Sequence, residues 1–196
     1  MPNWVRNTIE ISGPEPKLKS LMEKLTEPKP VDANGKMSER EFSFWNITSP
    51  TDLEVYFTSS GYSADKTVME TFNNGPSNWY SWNSTNWGTK WDACDAWVEL
   101  TDNTLRIGFD TAWSSPTPIM EWFIKHVVAT GMEMHYHYQE EQGWGGTVQV
   151  AKDGRMHENV WDIPESHAEW EGIGEICPCD WGDEGYDDCP KEEATV

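Results

Sequence analysis

LRIGFDTAWSSPTPIMEWFIKHVVATGMEMHYHY, residues 105–138, is the stretch that decides the fold. Leu105, Ile107 and Phe109 alternate with Arg106 and Gly108, which is the period of a strand with one buried face. Ser114-Ser115-Pro116 predicts a helix start, with Ser115 as N-cap and Pro116 at the first helical position. Ile119, Trp122, Phe123 and Val127 make an apolar helical face, and Gly131 ends it. Met132, Met134, Tyr136 and Tyr138 then alternate with Glu133, His135 and His137, so the chain returns as a strand. Strand, helix, strand is one βαβ unit.

Working outward, Asp95–Leu100 reads as a strand joined to Leu105–Phe109 by Thr101-Asp102-Asn103-Thr104, which makes a hairpin. Gly143, Gly145 and Gly146 allow a turn into a further strand over 147–151, closed by Asp153-Gly154. Near the N-terminus, Val5, Asn7, Ile9 and Ile11 alternate with Arg6, Thr8 and Glu10, a third strand signal ended by Gly13-Pro14. Leu18, Leu21, Met22 and Leu25 follow at helical spacing, and Pro28 and Pro30 stop that helix. Phe42–Ile47 is rich in aromatics and reads as another strand, and 65–72 reads as a short helix. Two strand–helix–strand units in series predict an α+β split βαβ sandwich, with a mainly antiparallel sheet and both helices on one face.

Composition narrows the class. The chain has 196 residues, 13 Trp and a net charge of −20. A field of that sign repels phosphate backbones and anionic lipid, which argues against direct nucleic-acid binding and favours a basic protein partner. Residues 158–196 hold 13 acidic residues and one basic one, Lys191, so this stretch alone carries −12. A boundary is therefore expected near residue 156, with a sandwich over 1–155, an insertion at about 48–91, and an acidic extension over 156–196. No apolar run approaches the ~18 residues needed to span a bilayer. The N-terminus lacks the pattern of a secretory signal, so a cytosolic location is expected.

Several segments occur in a familiar order: MPNWVRNTIEISGP, FSFWNITSPTDL, WYSWNSTNWGTKWDACD, LRIGFDTAWSSPTPIMEWF and HYHYQEEQGWGGTVQVAKDG. Over residues 1–155 the chain resembles the YubB-type ferredoxin-like domain of phages, plasmids and genomic islands. The resemblance implies a ferredoxin-like sandwich, a name that describes shape and does not imply an iron–sulfur cluster, and a mobile-element setting in which accessory proteins often act on host machinery. It supplies no catalytic residues.

Four groups of residues are candidates for chemistry. Trp79, Tyr80, Trp82, Trp87 and Trp91, interleaved with Lys90, offer stacking surface for a peptide, sugar or base; the preferred reading is a mini-core holding the insertion on the sheet. Asp110 sits at a strand end just before Trp113, where it could face a pocket, pair with Lys90 or cap the next helix; the preferred reading is a structural role. His135 and His137 share a strand face beside Glu133, with Glu140 and Glu141 just beyond; they could serve acid–base work or, with a third ligand that nothing fixes here, a metal, and the preferred reading is a solvated strand face. Cys177, Cys179 and Cys189 with His167 are a weak zinc set, because C-x-C is not the usual knuckle spacing; no cofactor is the preferred expectation. Asp180, Asp183, Glu184, Asp187 and Asp188 form the densest acidic run.

No nucleophile elbow, Walker loop, dinucleotide fingerprint or HExxH motif is present. The expectation is a non-catalytic binding protein of a mobile element that engages a basic host protein, in its sharpest form by an acidic face that occupies a nucleic-acid-binding surface of a defence factor. The alternatives are a small-ligand or glycan binder using the Trp block, and an enzyme using His135 or His137.

Overall fold

The computed structural model describes residues 2–32, 34, 36–53, 56–57 and 79–174. The predicted helix at 65–72, the acidic run at 180–188 and all three late cysteines lie outside the described residues.

Six strands form one sheet: β1 Trp4–Ser12, β2 Cys94–Leu100, β3 Thr104–Ala112, β4 Glu133–Glu140, β5 Gly145–Val150 and β6 Met156–Trp161, in the order β2-β3-β1-β4-β5-β6. Every neighbouring pair is antiparallel. β1 therefore lies between β3 and β4, which are joined through helix α3, Thr117–Thr130. Similarly, β3 lies between β1 and β2, whose connection contains helix α1, Glu15–Leu25, and helix α2, Trp79–Asn86. These are the two interlocked split βαβ units of a ferredoxin-like α+β domain, extended at one edge by β5 and β6.

The core lies between the sheet and helices α1 and α3. Val5, Ile9 and Ile11 of β1 face Leu105 and Ile107 of β3 and Met134 and Tyr136 of β4, and all are buried. Leu18, Leu21 and Leu25 of α1 and Ile119, Phe123 and Val127 of α3 complete it. Polar residues sit inside this layer too, and Asn7 is bonded to one of them, Thr111. The Asn7 amide donates to Val5 O at 2.7 Å and Thr111 Oγ1 at 3.0 Å, while its oxygen accepts from the Tyr136 hydroxyl at 2.7 Å. Burial holds the Tyr136 phenol well above its ordinary value, so it stays a donor.

Phe42–Ile47 is not a strand. Phe44–Asn46 is a single 3-10 turn capped by Ser43, whose side chain accepts from Trp45 N. The Asp92 carboxylate curls the segment by accepting from Phe44 N at 2.8 Å, Ser43 Oγ at 2.6 Å and Lys29 Nζ at 2.5 Å. The aromatic richness that resembles strand composition reflects burial: Phe42 and Phe44 both reach Phe109, with ring centroids 5.1 and 5.3 Å away.

Ser115 does not cap α3. The cap position is Pro116, with no side-chain hydrogen bond, and the helix begins at Thr117. Pro118 in the first turn has no N–H, so one of the donors a cap would satisfy is missing. The helix ends at Gly131 in the left-handed region, φ 66°. The sheet also runs past the compositional break, since β6 begins at Met156 and pairs with β5 along its full length. Among the described residues, no helix is long and apolar enough to cross a membrane.

Candidate functional site

Among the described residues, no layer of helices covers the face of the sheet opposite α1 and α3. Strand register arranges its side chains in rows. One row runs Cys94, Asp110, Arg6, Gln139, Gly145, Trp161; the next runs Trp97, Gly108, Thr8, His137, Thr147, Asn159. A third runs Glu99, Arg106, Glu10, His135, Gln149, His157. Trp4 lies beyond Arg6, opposite Ala112, at the end where β3 leaves the sheet.

Tryptophan gathers at that end. The Trp4 and Trp91 ring centroids are 5.9 Å apart, and Trp91 and Trp113 lie near parallel at 6.4 Å and 28°. The Lys90 ammonium is 4.7 Å from the Trp91 centroid and 4.8 Å from that of Trp113, a cation–π contact with both rings. Trp113 is 48% exposed and Trp97 47%, both unusual for the largest apolar side chain.

Backbone geometry sets these rings in place. Trp113 has φ 68°, a left-handed conformation that costs a bulky residue ~1–2 kcal/mol. Neighbouring bonds hold it there: Trp113 N donates to Asn3 O at 2.9 Å, Thr111 Oγ1 to Ser114 O at 2.8 Å, and Ser114 Oγ to Gly88 O at 2.7 Å. Backbone strain held in this way clusters at functional sites. Trp97 depends on a β-bulge between Cys94 and Trp97, in which Asp95 has φ 46°. Its ring lies flat on Gly108, where a Cβ would be 2.2 Å from the indole.

Charge on this face is mixed. Arg106 Nε pairs with Glu10 at 2.8 Å. Burial raises the Asp110 carboxyl above its ordinary value; Arg6 opposes the shift, and Asp95 and Glu141 add to it. Among the described residues, Asp110 accepts no hydrogen bond, and neither Asp110 nor Arg6 forms an ion pair within 4 Å.

Of the residues singled out from sequence, Lys90, Trp91 and Trp113 come together on this face, with Asp110 one row away. Trp82 and Trp87 pack edge to face at 5.3 Å in the cluster under the insertion, and the Trp87 indole donates to Thr48 O at 3.0 Å. Trp79 lines a cleft of about 470 Å³ with Trp45, Tyr56, Phe57, Trp87 and Trp91, while Tyr80 points outward. His135 and His137 lie on the open face as their alternation requires. His135 borders a shallow hollow of about 330 Å³ with Glu10, Glu133 and Gln149, and His137 lies 5.8 Å from the Trp161 ring. Glu140 points the other way, is buried, and accepts from Gln142 N at 2.6 Å. His167 Nε2 is 3.7 Å from Glu171 in the short helix α4, His167–Gly172. Among the described residues, no three His, Cys, Asp or Glu side chains are grouped to hold a metal. Sequence reading missed Trp4, Arg6 and Trp97. Trp4 and Arg6 have the parity opposite to the buried Val5, and Trp97 stands opposite the single glycine of β3.

The fold compares with one solved structure, protein api92 from Yersinia pseudotuberculosis, at a TM-score of 0.50 and 10% identity, over 84% of this chain and 99% of that one. No curated protein matches the chain. Residues 86–179 match the family model described as the ferredoxin-like domain in Api92-like protein, so the split βαβ order read from periodicity and the family comparison meet in one fold, the ferredoxin-like α+β domain.

Proposed function

We propose that the protein is a non-catalytic binding module that takes a basic partner protein on the open face of its sheet. The observation that carries this is the exposure of Trp97 and Trp113 on a face that folding has no need to display. Trp113 is held out by a left-handed backbone that costs stability, and a bulge sets Trp97 on Gly108 with about half of its surface exposed. Tryptophan and arginine are prominent among the side chains that dominate protein–protein binding energy; Trp4, Trp91, Trp113 and Arg6 share this end of the sheet, and Trp97 lies in the middle row of the same face. The net charge of −20 selects a cationic partner and speeds its encounter. The mobile-element setting implied by the family resemblance makes a host protein the partner, and a nucleic-acid-binding defence factor is the sharpest form of that reading.

Affinity capture with paired variants tests the proposal. Wild type and a helix-side control, Glu121→Gln, should retain the same basic protein, and Trp97→Ser/Trp113→Asn should lose it. Equal retention by all three would refute the assignment to the open face.

A further inference from the structure

The Lys90 ammonium is an internal cation seated on two indole rings, within 4.8 Å of both centroids. It forms no ion pair within 4 Å among the described residues, so the rings are its chief electrostatic partners. One pleat period along β3 from Ala112, about 7 Å away by strand geometry, lies Asp110, whose carboxylate accepts no hydrogen bond and forms no ion pair among the described residues. Asp95 and Glu141 add negative charge beside Asp110 against the single Arg6. Rings that stabilise a cation thus share a face with a carboxylate group in which Asp110, Asp95 and Glu141 outnumber Arg6.

We infer that the Trp91–Trp113 pair is a cation seat which Lys90 occupies in the free protein, and that an arginine of the partner takes the exposed face of Trp113 with its guanidinium bonded to Asp110. This rests on the reading that the open face takes a basic partner, and it names the side chain recognised there. Arginine is favoured over lysine for physical reasons. A guanidinium is planar, stacks on an indole, is weakly hydrated, and still presents two parallel N–H groups to a carboxylate. A lysine ammonium loses more hydration on the same ring and makes no bidentate pair. Lys90 is then a competitor, because it shares the Trp113 ring with the incoming group.

Calorimetric titration of the full chain with hexa-arginine and hexa-lysine peptides tests this. Wild type should bind hexa-arginine at least about tenfold more tightly than hexa-lysine. Trp113→Asn, which keeps a residue tolerant of the left-handed backbone, should erase that preference, as should Asp110→Asn. Lys90→Met should tighten hexa-arginine binding severalfold, by removing the competing cation. Equal affinity for the two peptides in the wild type would overturn the inference whatever the variants do, since it would mean that diffuse negative charge binds both. Weaker hexa-arginine binding by a folded Lys90→Met chain would also overturn it, and would make Lys90 a strut for the rings. In either case, retention of a basic partner that depends on Trp97 and Trp113 would leave the proposed function standing, whereas loss of that dependence would remove the function itself.

Discussion

Replacing Trp113 by glycine should cost less stability than replacing it by alanine, against the usual order of these residues. Both changes remove the indole. The ring is 48% exposed, so it buries roughly 100 Å², worth about 2.5 kcal/mol at ~25 cal/mol/Å². Alanine keeps a Cβ at φ 68° and so keeps the left-handed penalty of ~1–2 kcal/mol; glycine removes it. Against this, glycine frees the unfolded chain, at a cost of ~0.4–1 kcal/mol. The difference leaves Trp113→Gly more stable than Trp113→Ala by about 1 kcal/mol, and both below wild type. In a domain of this size that separates the midpoints by ~2–4 °C. Urea unfolding followed by far-UV circular dichroism reads both variants on one scale. An alanine variant as stable as the glycine one, or more so, would refute the claim that the backbone is strained to display this ring.

Other outcomes follow from the same contacts. Asp92→Ala strips the acceptor from Lys29 Nζ, Ser43 Oγ, Phe44 N and Ala93 N, and should cost about 2–3 kcal/mol in urea unfolding, as for the loss of hydrogen bonds to a half-buried charged group; a loss under 1 kcal/mol would contradict its role as the anchor of the 3-10 turn. Gly108→Ala places a methyl 2.2 Å from the Trp97 indole and should shift the Trp97 Nε1–H resonance while its neighbours in the core stay put; an unmoved resonance would contradict the ring's seat on Gly108. Burial pushes the Tyr56 phenol up to about 12, with the Asn83 hydrogen bond opposing the shift and Asp92 adding to it. Between about pH 10 and 12 the unfolded tyrosine therefore releases its proton before the folded one does, and stability falls as pH rises through that window. Tyr56→Phe should flatten that part of the stability profile, and an identical alkaline slope in variant and wild type would contradict the burial.

Periodicity made most of the fold legible. β1, α1, the β2–β3 hairpin, α3, β4 and β5 each bury one face, and a buried face leaves its period in the sequence. The misses had physical causes. Phe42 and Phe44 are aromatic because they fill the core beside Phe109, and side-chain bonds to Asp92 override their strand propensity. α2 places Trp79, Trp82, Asn83 and Asn86 at helical spacing, but tryptophan and asparagine are weak helix formers and the face they make is mixed. β6 is an edge strand that is almost wholly exposed, so nothing in MHENVW alternates. For the site, tryptophan density drew attention to Lys90, Trp91 and Trp113. Composition has no means of separating the rings that fill space, Trp82 and Trp87, from those the backbone turns outward. Trp4 and Trp97 become visible only through register, because the strand that brings Trp4 beside Trp91 is some ninety residues away in the chain.

The central claim is that the open face, and not the helical side, meets the partner. Photo-crosslinking addresses it directly, with the reactive residue placed either at Thr8, in the middle row of the open face, or at Lys125 on the outer side of α3. Position 8 should give an adduct to a basic protein, and position 125 none. An adduct from position 125 alone would contradict it.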